Sequence, residues 1–253
     1  MADEKGTWVA GQEVDVPTTV GGGCVVGVRV VAAAETTALE PGYGECAREV
    51  HALAPAYHPR SVCTDGWQAT REAWRRLFPT ITRVLGCLHA VLKSKARCTG
   101  ALRPQVLERV WHVYHATTKR QCAQRLRRLA AWTPTHLSGA VATMVWKRWR
   151  RRADFTPAYD CPQAHRTSHA VDRLLNYQDR LLYAMRYCHT TPASARLAVR
   201  AMALQWNFHP DGARLRRDQP SRVSPLHDLN GFQYHSNWLH NLLIASSMGG
   251  LRL

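Results

Sequence analysis

The stretch SVCTDGWQATREAWRRLFPTITRVLGCL, residues 61–88, decides the fold of this chain. It opens with SVCTD (61–65), a short β-branched and apolar run that predicts a strand and delivers one carboxylate into a glycine turn. A helical pattern over 67–78 follows at once and stops at Pro79. ITRVLGCL (81–88) is a second β-branched run. The stretch therefore predicts a strand, a helix and another strand.

The residues before this stretch predict a hairpin and a helix. EVDVPTTV (13–20) has the period of a strand, GGG (21–23) is a turn, and CVVGVRVVA (24–32) is a further β-branched run. Residues 36–53 predict a helix that is broken early by the Pro-Gly pair at 41–42. The order hairpin, helix, strand, helix, strand is typical of a mixed sheet with covering helices.

After residue 90 the strand signals fade and helical patterns replace them. Residues 91–149 predict basic amphipathic helices, in which Leu126, Leu129 and Trp132 share one face. The remaining segments are a loop over 154–165, a long amphipathic helix over 166–187, a helix over 194–206 and a tail from Asn207. The apolar face of the long helix consists of Val171, Leu174, Leu175, Leu182 and Met185.

The net charge of +16 and the pI near 10.1 predict a polyanionic partner, most simply nucleic acid. The charge is also clustered, because residues 119–152 contain ten basic residues and no acid. These are Lys119, Arg120, Arg125, Arg127, Arg128, Lys147, Arg148, Arg150, Arg151 and Arg152. Such a block repels itself unless phosphates neutralise it. The alternative interpretation is a solvated helical face.

The composition also bears on location. No run of about 18 apolar residues exists, and the start MADEKGTW has no basic and apolar leader, so neither a membrane span nor a secretory signal is expected. The eight cysteines are spread singly without a CxxC pair. They are typical of reduced thiols in a cytoplasm.

Three acids stand out by position: Asp3 before the hairpin, Asp65 at the end of SVCTD, and Asp172 in the long helix. An α/β sheet places the residues at its strand ends along one edge, where ligands bind, and a helix crossing that edge adds a third carboxylate. Convergent carboxylates repel one another unless divalent cations lie between them. Two Mg²⁺ ions held in this way can bridge a scissile phosphate.

Other side chains allow competing interpretations. Cys161, His165 and His169 are spaced by four residues and could bind zinc, although no second Cys/His pair has finger-like spacing. Trp67 and Trp74 are expected in the core of their helix. Trp146 and Trp149, within MVWKRWRRR, are candidates for DNA contact or for the buried face of their helix.

Residues 61–89 and 154–190 resemble the core of Mutator-like DDE transposases of bacterial insertion sequences. In that family a TDG strand end carries the second catalytic acid, and a helix and a strand lead on to a C/D-x-x-H signature. The last acid lies in a helix that begins RT-S/T-N, with the acid three residues later; this chain has RTSHAVD at 166–172. ADEKGTWVAG (2–11) resembles the first catalytic strand.

The resemblance implies an α/β, ribonuclease-H-like mixed sheet that is interrupted by a helical insertion and followed by a helical C-terminal part. It divides the chain into the first part of the catalytic core (1–90), a basic all-helical insertion (91–153), the rest of the core with the last catalytic helix (154–206) and a tail (207–253). The chain begins two residues before Asp3, so a truncated transposase is expected.

Carried over residue by residue, the resemblance implies that Asp3, Asp65 and Asp172 bind two Mg²⁺ or Mn²⁺ ions, with Glu4 as the adjacent alternative to Asp3. His89 would be the histidine of the signature, although Gly86 stands where the family has Cys or Asp. The implied activity is cleavage and joining of double-stranded DNA, at transposon ends and target, by a homodimer in the bacterial cytoplasm and nucleoid.

Two further hypotheses stay open. The first is a truncated, catalytically inactive remnant that only binds DNA. The second is a basic helical protein that binds RNA or has a structural role. A separation of more than about 10 Å between the three carboxylates would exclude the enzyme, because two bridging metal ions lie only about 4 Å apart.

Overall fold

The chain is a mixed α/β protein in a computed structural model that describes residues 1–161, 164, 166, 169–184 and 191–247. Some side chains inside described helices are excluded as well, namely those of Leu53, Leu88, His89, Ala90, Lys93, His169 and Ala170. The chain divides into two compact units. We call Met1 with His58–His169 the parallel-sheet unit, and Ala2–Tyr57 with Ala170–Leu253 the meander unit.

The meander unit is built on three antiparallel strands: β1 (Ala2–Val9), β2 (Gln12–Gly21) and β3 (Cys24–Val28). The predicted hairpin is confirmed, since Gly21 pairs with Cys24 across a Gly22-Gly23 turn in which both residues have positive φ. Strand β1 lies within residues 2–11, where the family resemblance implied a strand that periodicity alone did not predict. It pairs with β2 over its whole length, and Asp3 lies opposite Thr18.

Helix α1 (Thr36–Leu53) covers this sheet, and the expected break at Pro41 is wrong. Proline removes only one helical hydrogen bond, while Leu39 and Tyr43 on either side of it are fully buried and hold the helix in place. Gly42 allows the close approach to β2. A Cβ at this position would come within 2.6 Å of Pro17 Cγ.

The rest of the meander unit is helical. The long helix predicted over 166–187 is confirmed within the described residues as α9 (His169–Ala184), and the next helix is α10 (Pro192–Phe208). Met185, which was predicted on the apolar face, lies outside the described residues. Three short helices form the C-terminal region: α11 (Ala213–Asp218), α12 (Pro225–Asn230) and α13 (Trp238–Ser247).

Helix α10 packs on the outer edge of β3. The Asn207 side chain accepts a hydrogen bond from Val25 N (2.8 Å) and donates one to Val25 O (2.9 Å). Trp206 Nε1 donates to Gly23 O at 3.0 Å. An unprotected sheet edge is a template for pairing with other chains, so these side chains satisfy part of the β3 edge from within the unit.

The parallel-sheet unit contains the segment that decides the fold. Strands β4 (Ser61–Thr64) and β5 (Thr82–Leu85) pair in parallel, and α2 (Gln68–Leu77) connects them, as predicted. Strand β5 is shorter than the predicted run over 81–88 because Gly86 caps a new helix instead of extending the strand. His89 therefore lies in the first turn of α3 rather than at a strand end.

A helical block follows β5, in agreement with the helical patterns predicted over 91–149. It comprises α3 (Cys87–Arg97), α4 (Leu102–Tyr114), α5 (Lys119–His136), α6 (Gly139–Arg150), α7 (Arg152–Phe155) and α8 (Pro157–Asp160). Leu126 and Leu129 are buried in its core and Trp132 packs against it, as predicted. The loop predicted over 154–165 is wrong in its first half, because Phe155 and Ala158 are buried and anchor the two short helices.

The two tryptophans of the α2 segment differ. Trp74 is buried at 4% exposure and stacks on Phe78 with ring centroids 5.7 Å apart, so the expectation of a core residue is confirmed. Trp67 is 54% exposed, so the same expectation is wrong for it. The reason is position: Trp67 precedes the first helical residue, where helical spacing no longer applies.

Candidate functional site

Asp65 is the residue directly after β4, at the carboxyl edge of the parallel pair. Its Oδ1 accepts a hydrogen bond from Trp67 N at 2.7 Å, which closes a tight turn through Gly66. Gly66 has φ +93°, and a Cβ there would come within 2.4 Å of Leu85 Cδ1. The strand, the acid and the glycine together therefore determine the geometry of this turn. The strand sets where the acid lies, and the glycine lets the chain leave the sheet immediately.

Two other segments meet the same edge. Gly86 N donates to Thr64 O at 2.8 Å, so Gly86 continues the pairing of β5 beside Asp65. Cys87 N, at the start of α3, donates to Arg166 O at 3.0 Å. Arg166 begins the RTS motif, so the structure brings the start of that motif to the carboxyl end of β5, the strand that pairs with β4.

Arg166 is itself a structural anchor. Its guanidinium donates to Tyr114 O and Ala116 O at the end of α4, as well as to Tyr159 Oη, and lies 4.4 Å over the Tyr159 ring. Cations commonly satisfy the last carbonyls of a helix. The motif residue therefore ties the strand edge to the helical block. No role was predicted for Arg166 from the sequence, although it is the first residue of the RTS motif.

The edge is also lined by basic groups. A Cβ on Gly66 would lie 3.2 Å from Arg151 Nη2, which places that guanidinium next to the turn. Arg151 and Arg71 both pair with Asp154, at 3.0 Å and 3.1 Å. A phosphate group approaching Asp65 would therefore meet the Arg151 guanidinium, which is held in position by Asp154.

Asp65 differs from most acids of its unit in having no ion pair. Glu72 pairs with Arg75 and Arg76, and hydrogen bonding to Arg75 lowers the pKa of the Glu72 carboxyl to about 2. Asp154 and Asp160 pair with Arg and Lys as well. Among the described residues Asp65 makes no such pair, so its carboxylate is available to a cation.

The basic block forms an exposed surface on α5 to α7. Eight of its ten residues are exposed: Lys119, Arg120, Arg127, Arg128, Lys147, Arg150, Arg151 and Arg152. Trp146 is 41% exposed between them, whereas Trp149 packs against the helical core with Arg152 4.4 Å over its ring. Trp146 is thus the more accessible of the two predicted aromatic contacts.

The other two members of the block are less exposed. Arg148 is 7% exposed, and burial lowers the pKa of its guanidinium. It lies on the face of α6 that also buries Met144 and Val145, so helical periodicity directs it inward. Arg125 donates to His112 O at 2.7 Å and so serves the end of α4. Burial therefore contradicts the predicted phosphate contact for Arg148, whereas the contact for Arg125 stays a prediction.

Asp3 and Glu4 lie on β1 in the meander unit. Asp3 is 7% exposed and its Oδ1 accepts from Glu4 N at 3.1 Å, while Glu4 Oε2 accepts from the buried Tyr43 hydroxyl at 2.8 Å. Their carboxylates each place an oxygen within 4.8 Å of the other. Tyr43 was not predicted as part of a site, and its position within a helical pattern gave no signal of it.

Asp172 lies in the first turn of α9, in the same unit as Asp3. Its side chain is partly exposed, and its neighbour Val171 is fully buried. Asp65 belongs to the other unit, so the convergence of all three acids stays a prediction. The His89 side chain and the zinc candidates His165 and His169 lie outside the described residues or side chains, while Cys161 is partly exposed with a free thiol.

The charge is divided unequally between the two units. The parallel-sheet unit has 21 Lys and Arg against 5 Asp and Glu, which is the entire net charge of +16. The meander unit has the remaining 13 basic and 13 acidic residues and is neutral. The positive charge of the chain is therefore concentrated in the unit that also contains Asp65.

Comparisons with known proteins do not assign the chain to a family. A scan against models of protein families gives no match, and a search of curated proteins gives none. Within the described parts of the chain, every helix is too short or too polar to cross a membrane.

Proposed function

We propose that the chain is the catalytic domain of a DDE-type transposase, which cleaves DNA strands and joins them to a target with the help of divalent metal ions. The substrate would be double-stranded DNA, at transposon ends and target, bound by a homodimer in the bacterial cytoplasm and nucleoid. The fold proposed with this function is ribonuclease-H-like.

The order of the elements along the chain carries the proposal. Three antiparallel strands with Asp3 on the first are followed by a helix, by β4 with Asp65 directly after it, by a helix and by β5. A helical block then precedes α9, which bears Asp172. This is the order that the sequence resemblance implies, with an insertion between the fifth strand and the last catalytic helix.

The roles of the residues follow from their chemistry. Carboxylate oxygens are the ligands that Mg²⁺ and Mn²⁺ prefer, and Asp65 retains Oδ2 for this purpose while Oδ1 holds the turn. Asp3, Glu4 and Asp172 are the other proposed ligands. When bound, such ions activate the attacking water or hydroxyl and stabilise the leaving oxygen. Arg71 and Arg151 would orient the phosphate, and the exposed basic helices would hold the DNA backbone.

Substitution of Asp65 by Asn tests the enzyme. Asn keeps an oxygen acceptor for Trp67 N, so the turn and the fold are expected to persist while the charge that binds metal is lost. We expect Mg²⁺- or Mn²⁺-dependent nicking of supercoiled plasmid DNA to fall by about 100-fold or more, because metal catalysis contributes several kcal/mol and each 1.36 kcal/mol is tenfold in rate.

The matched control is Glu108→Gln, which neutralises an exposed acid of the same unit away from the strand edge. It should nick DNA at the wild-type rate. Wild-type nicking that persists in EDTA, or that survives in Asp65→Asn, would exclude this site as the source of the activity.

A second candidate is a DNA-binding protein without catalysis, and the concentration of the whole net charge in one unit favours it. It predicts duplex binding that is as strong in Asp65→Asn as in the wild type, with no metal-dependent nicking in either. The nicking assay therefore separates the two candidates directly.

A further inference from the structure

The buried face of α9 contains one residue that breaks its apolar pattern. Val171, Leu174 and Leu182 are buried, as the periodicity predicts, but the position between the last two is Gln178, which is fully buried at 0% exposure. An amide in such a position is destabilising unless hydrogen bonds compensate for lost water. A leucine or methionine would fill the position without that cost, so the polar group needs a separate explanation.

Gln178 is bonded to the sheet at one point. Its Nε2 donates to Thr18 Oγ1 at 3.1 Å, and the fully buried Thr18 hydroxyl donates in turn to Val16 O at 3.2 Å. Oε1 of Gln178 has no hydrogen-bond partner among the described residues. The amide therefore has a hydrogen bond at Nε2 but none at Oε1 among the described residues. It makes one directional bond from the helix to β2.

The bond joins the helix that bears Asp172 to the strand that pairs with the strand of Asp3. Thr18 is the residue directly opposite Asp3 in the pairing of β1 with β2. Asp172 lies six residues before Gln178 on the same helix, about 9 Å along its axis. A shift of the helix by one residue would turn Gln178 away by about 100° and break the bond. A single buried polar contact specifies register more strictly than apolar packing does.

An ion pair beside this bond joins the same two elements. Lys5 Nζ on β1 lies 2.9 Å from Asp179 Oδ2 on α9, with both side chains about 40% exposed, at 39% and 43%. Exposed pairs of this kind contribute little on their own. The buried hydrogen bond and the exposed ion pair are both compatible with a single register of α9 on the sheet.

We propose that Gln178 is a positioning residue that registers α9 on the sheet through Thr18, and so holds Asp172 in place relative to Asp3 for binding of a divalent cation. This inference rests on the proposed function. It adds a residue that the sequence resemblance does not include and that touches neither the metal nor the DNA.

The test measures Mn²⁺ binding, plasmid nicking and thermal stability in one set of variants of the full chain. Gln178→Leu and Thr18→Val each remove one partner with little change in shape, whereas Thr18→Ser keeps the hydroxyl. Leu182→Met is the control on the same buried face. We expect Gln178→Leu to keep or raise the melting temperature while Mn²⁺ affinity and nicking fall at least about tenfold together.

The remaining variants separate positioning from packing. Thr18→Val should show the same loss as Gln178→Leu, and the double variant should lose no more than either single one, because one bond is removed in all three. Thr18→Ser and Leu182→Met should resemble the wild type. Wild-type Mn²⁺ affinity in Gln178→Leu, additive losses in the double variant, or losses that only follow a lower melting temperature would overturn the inference. A wild-type protein without Mn²⁺ binding or nicking would instead overturn the proposed function, and the inference with it.

Discussion

At the scale of single residues, the turn after β4 shows what local sequence can predict. The turn at Asp65 and Gly66 was predicted from the sequence alone, because Asp followed by Gly at a strand end is a common turn former. Trp67 and Arg148 were assigned wrongly, since residue type suggested core and surface while their position on the helix decided otherwise. Residue type predicts how often a side chain is buried on average, whereas its position on the helix determines whether it is buried here.

Gly66→Ala tests the turn. Alanine at φ +93° is strained, and its Cβ would also meet Leu85 Cδ1 and Arg151. We expect a loss of about 2–4 kcal/mol in the free energy of unfolding, the sum of a backbone cost of about 1–2 kcal/mol and an overpacking cost of similar size. Urea denaturation followed by circular dichroism measures it.

Gly100→Ala is the matched control for that experiment. Gly100 belongs to the same unit and also has positive φ, at +60°, but nothing lies within 4 Å of an added Cβ. It should lose only the backbone cost of about 1–2 kcal/mol. Equal losses in the two variants would mean that the contact with Leu85 and Arg151 has no energetic weight.

At the scale of elements, periodicity predicted the helices and the hairpin well, and long-range contacts explain what it missed. The break at Pro41 was wrong because burial of Leu39 and Tyr43 against the sheet outweighs one lost hydrogen bond. Gln178 interrupts the apolar face of α9, and its hydrogen-bond partner Thr18 lies 160 residues away in the sequence. Asn207 protects the edge of β3 across 182 residues. No local window contains either partner, so single-sequence patterns could not predict these bonds.

Asn207→Ala tests the protection of β3. Loss of the amide removes both hydrogen bonds to Val25 and leaves its backbone groups without these partners in a buried place. We expect a destabilisation of about 1–3 kcal/mol, the cost of an unsatisfied buried polar group, measured by urea denaturation. Gln205→Ala on the exposed face of the same helix is the control and should change the free energy of unfolding by less than about 0.5 kcal/mol.

That experiment has a second readout. A freed β3 edge is open to pairing with other chains, so Asn207→Ala should form concentration-dependent assemblies that light scattering detects and that Gln205→Ala does not form. A variant as stable as the control would show that the edge is satisfied without Asn207.

At the scale of the whole molecule, the sequence predicted the total charge and the clustered block but not the full extent of the basic unit. The predicted insertion was 91–153, whereas the compact unit runs over His58–His169 and includes β4, β5 and Asp65. The boundary at residue 91, which the resemblance implies, separates strands and helices that belong to one compact unit. Because the division follows contacts, the acid after β4 and the basic helices belong to one folded body.

The last prediction concerns how this body binds DNA. Binding through phosphates releases counterions, so the logarithm of the affinity falls linearly with the logarithm of salt concentration, by about 0.9 for each phosphate contacted. Lys147→Gln with Arg150→Gln removes two exposed charges from α6 and should reduce that slope by about 1.8, with equal effect on unrelated duplexes. Fluorescence anisotropy on a labelled duplex at several salt concentrations measures the slope.

The matched control is Arg214→Gln with Arg216→Gln, which removes two exposed arginines of α11 from the neutral meander unit. Both variants lower the net charge from +16 to +14. If overall charge alone attracted DNA, the two would lose slope equally. If the parallel-sheet unit carries the contacts, only the α6 variant loses slope, because counterions are released where phosphates are neutralised and not in proportion to the charge of the molecule.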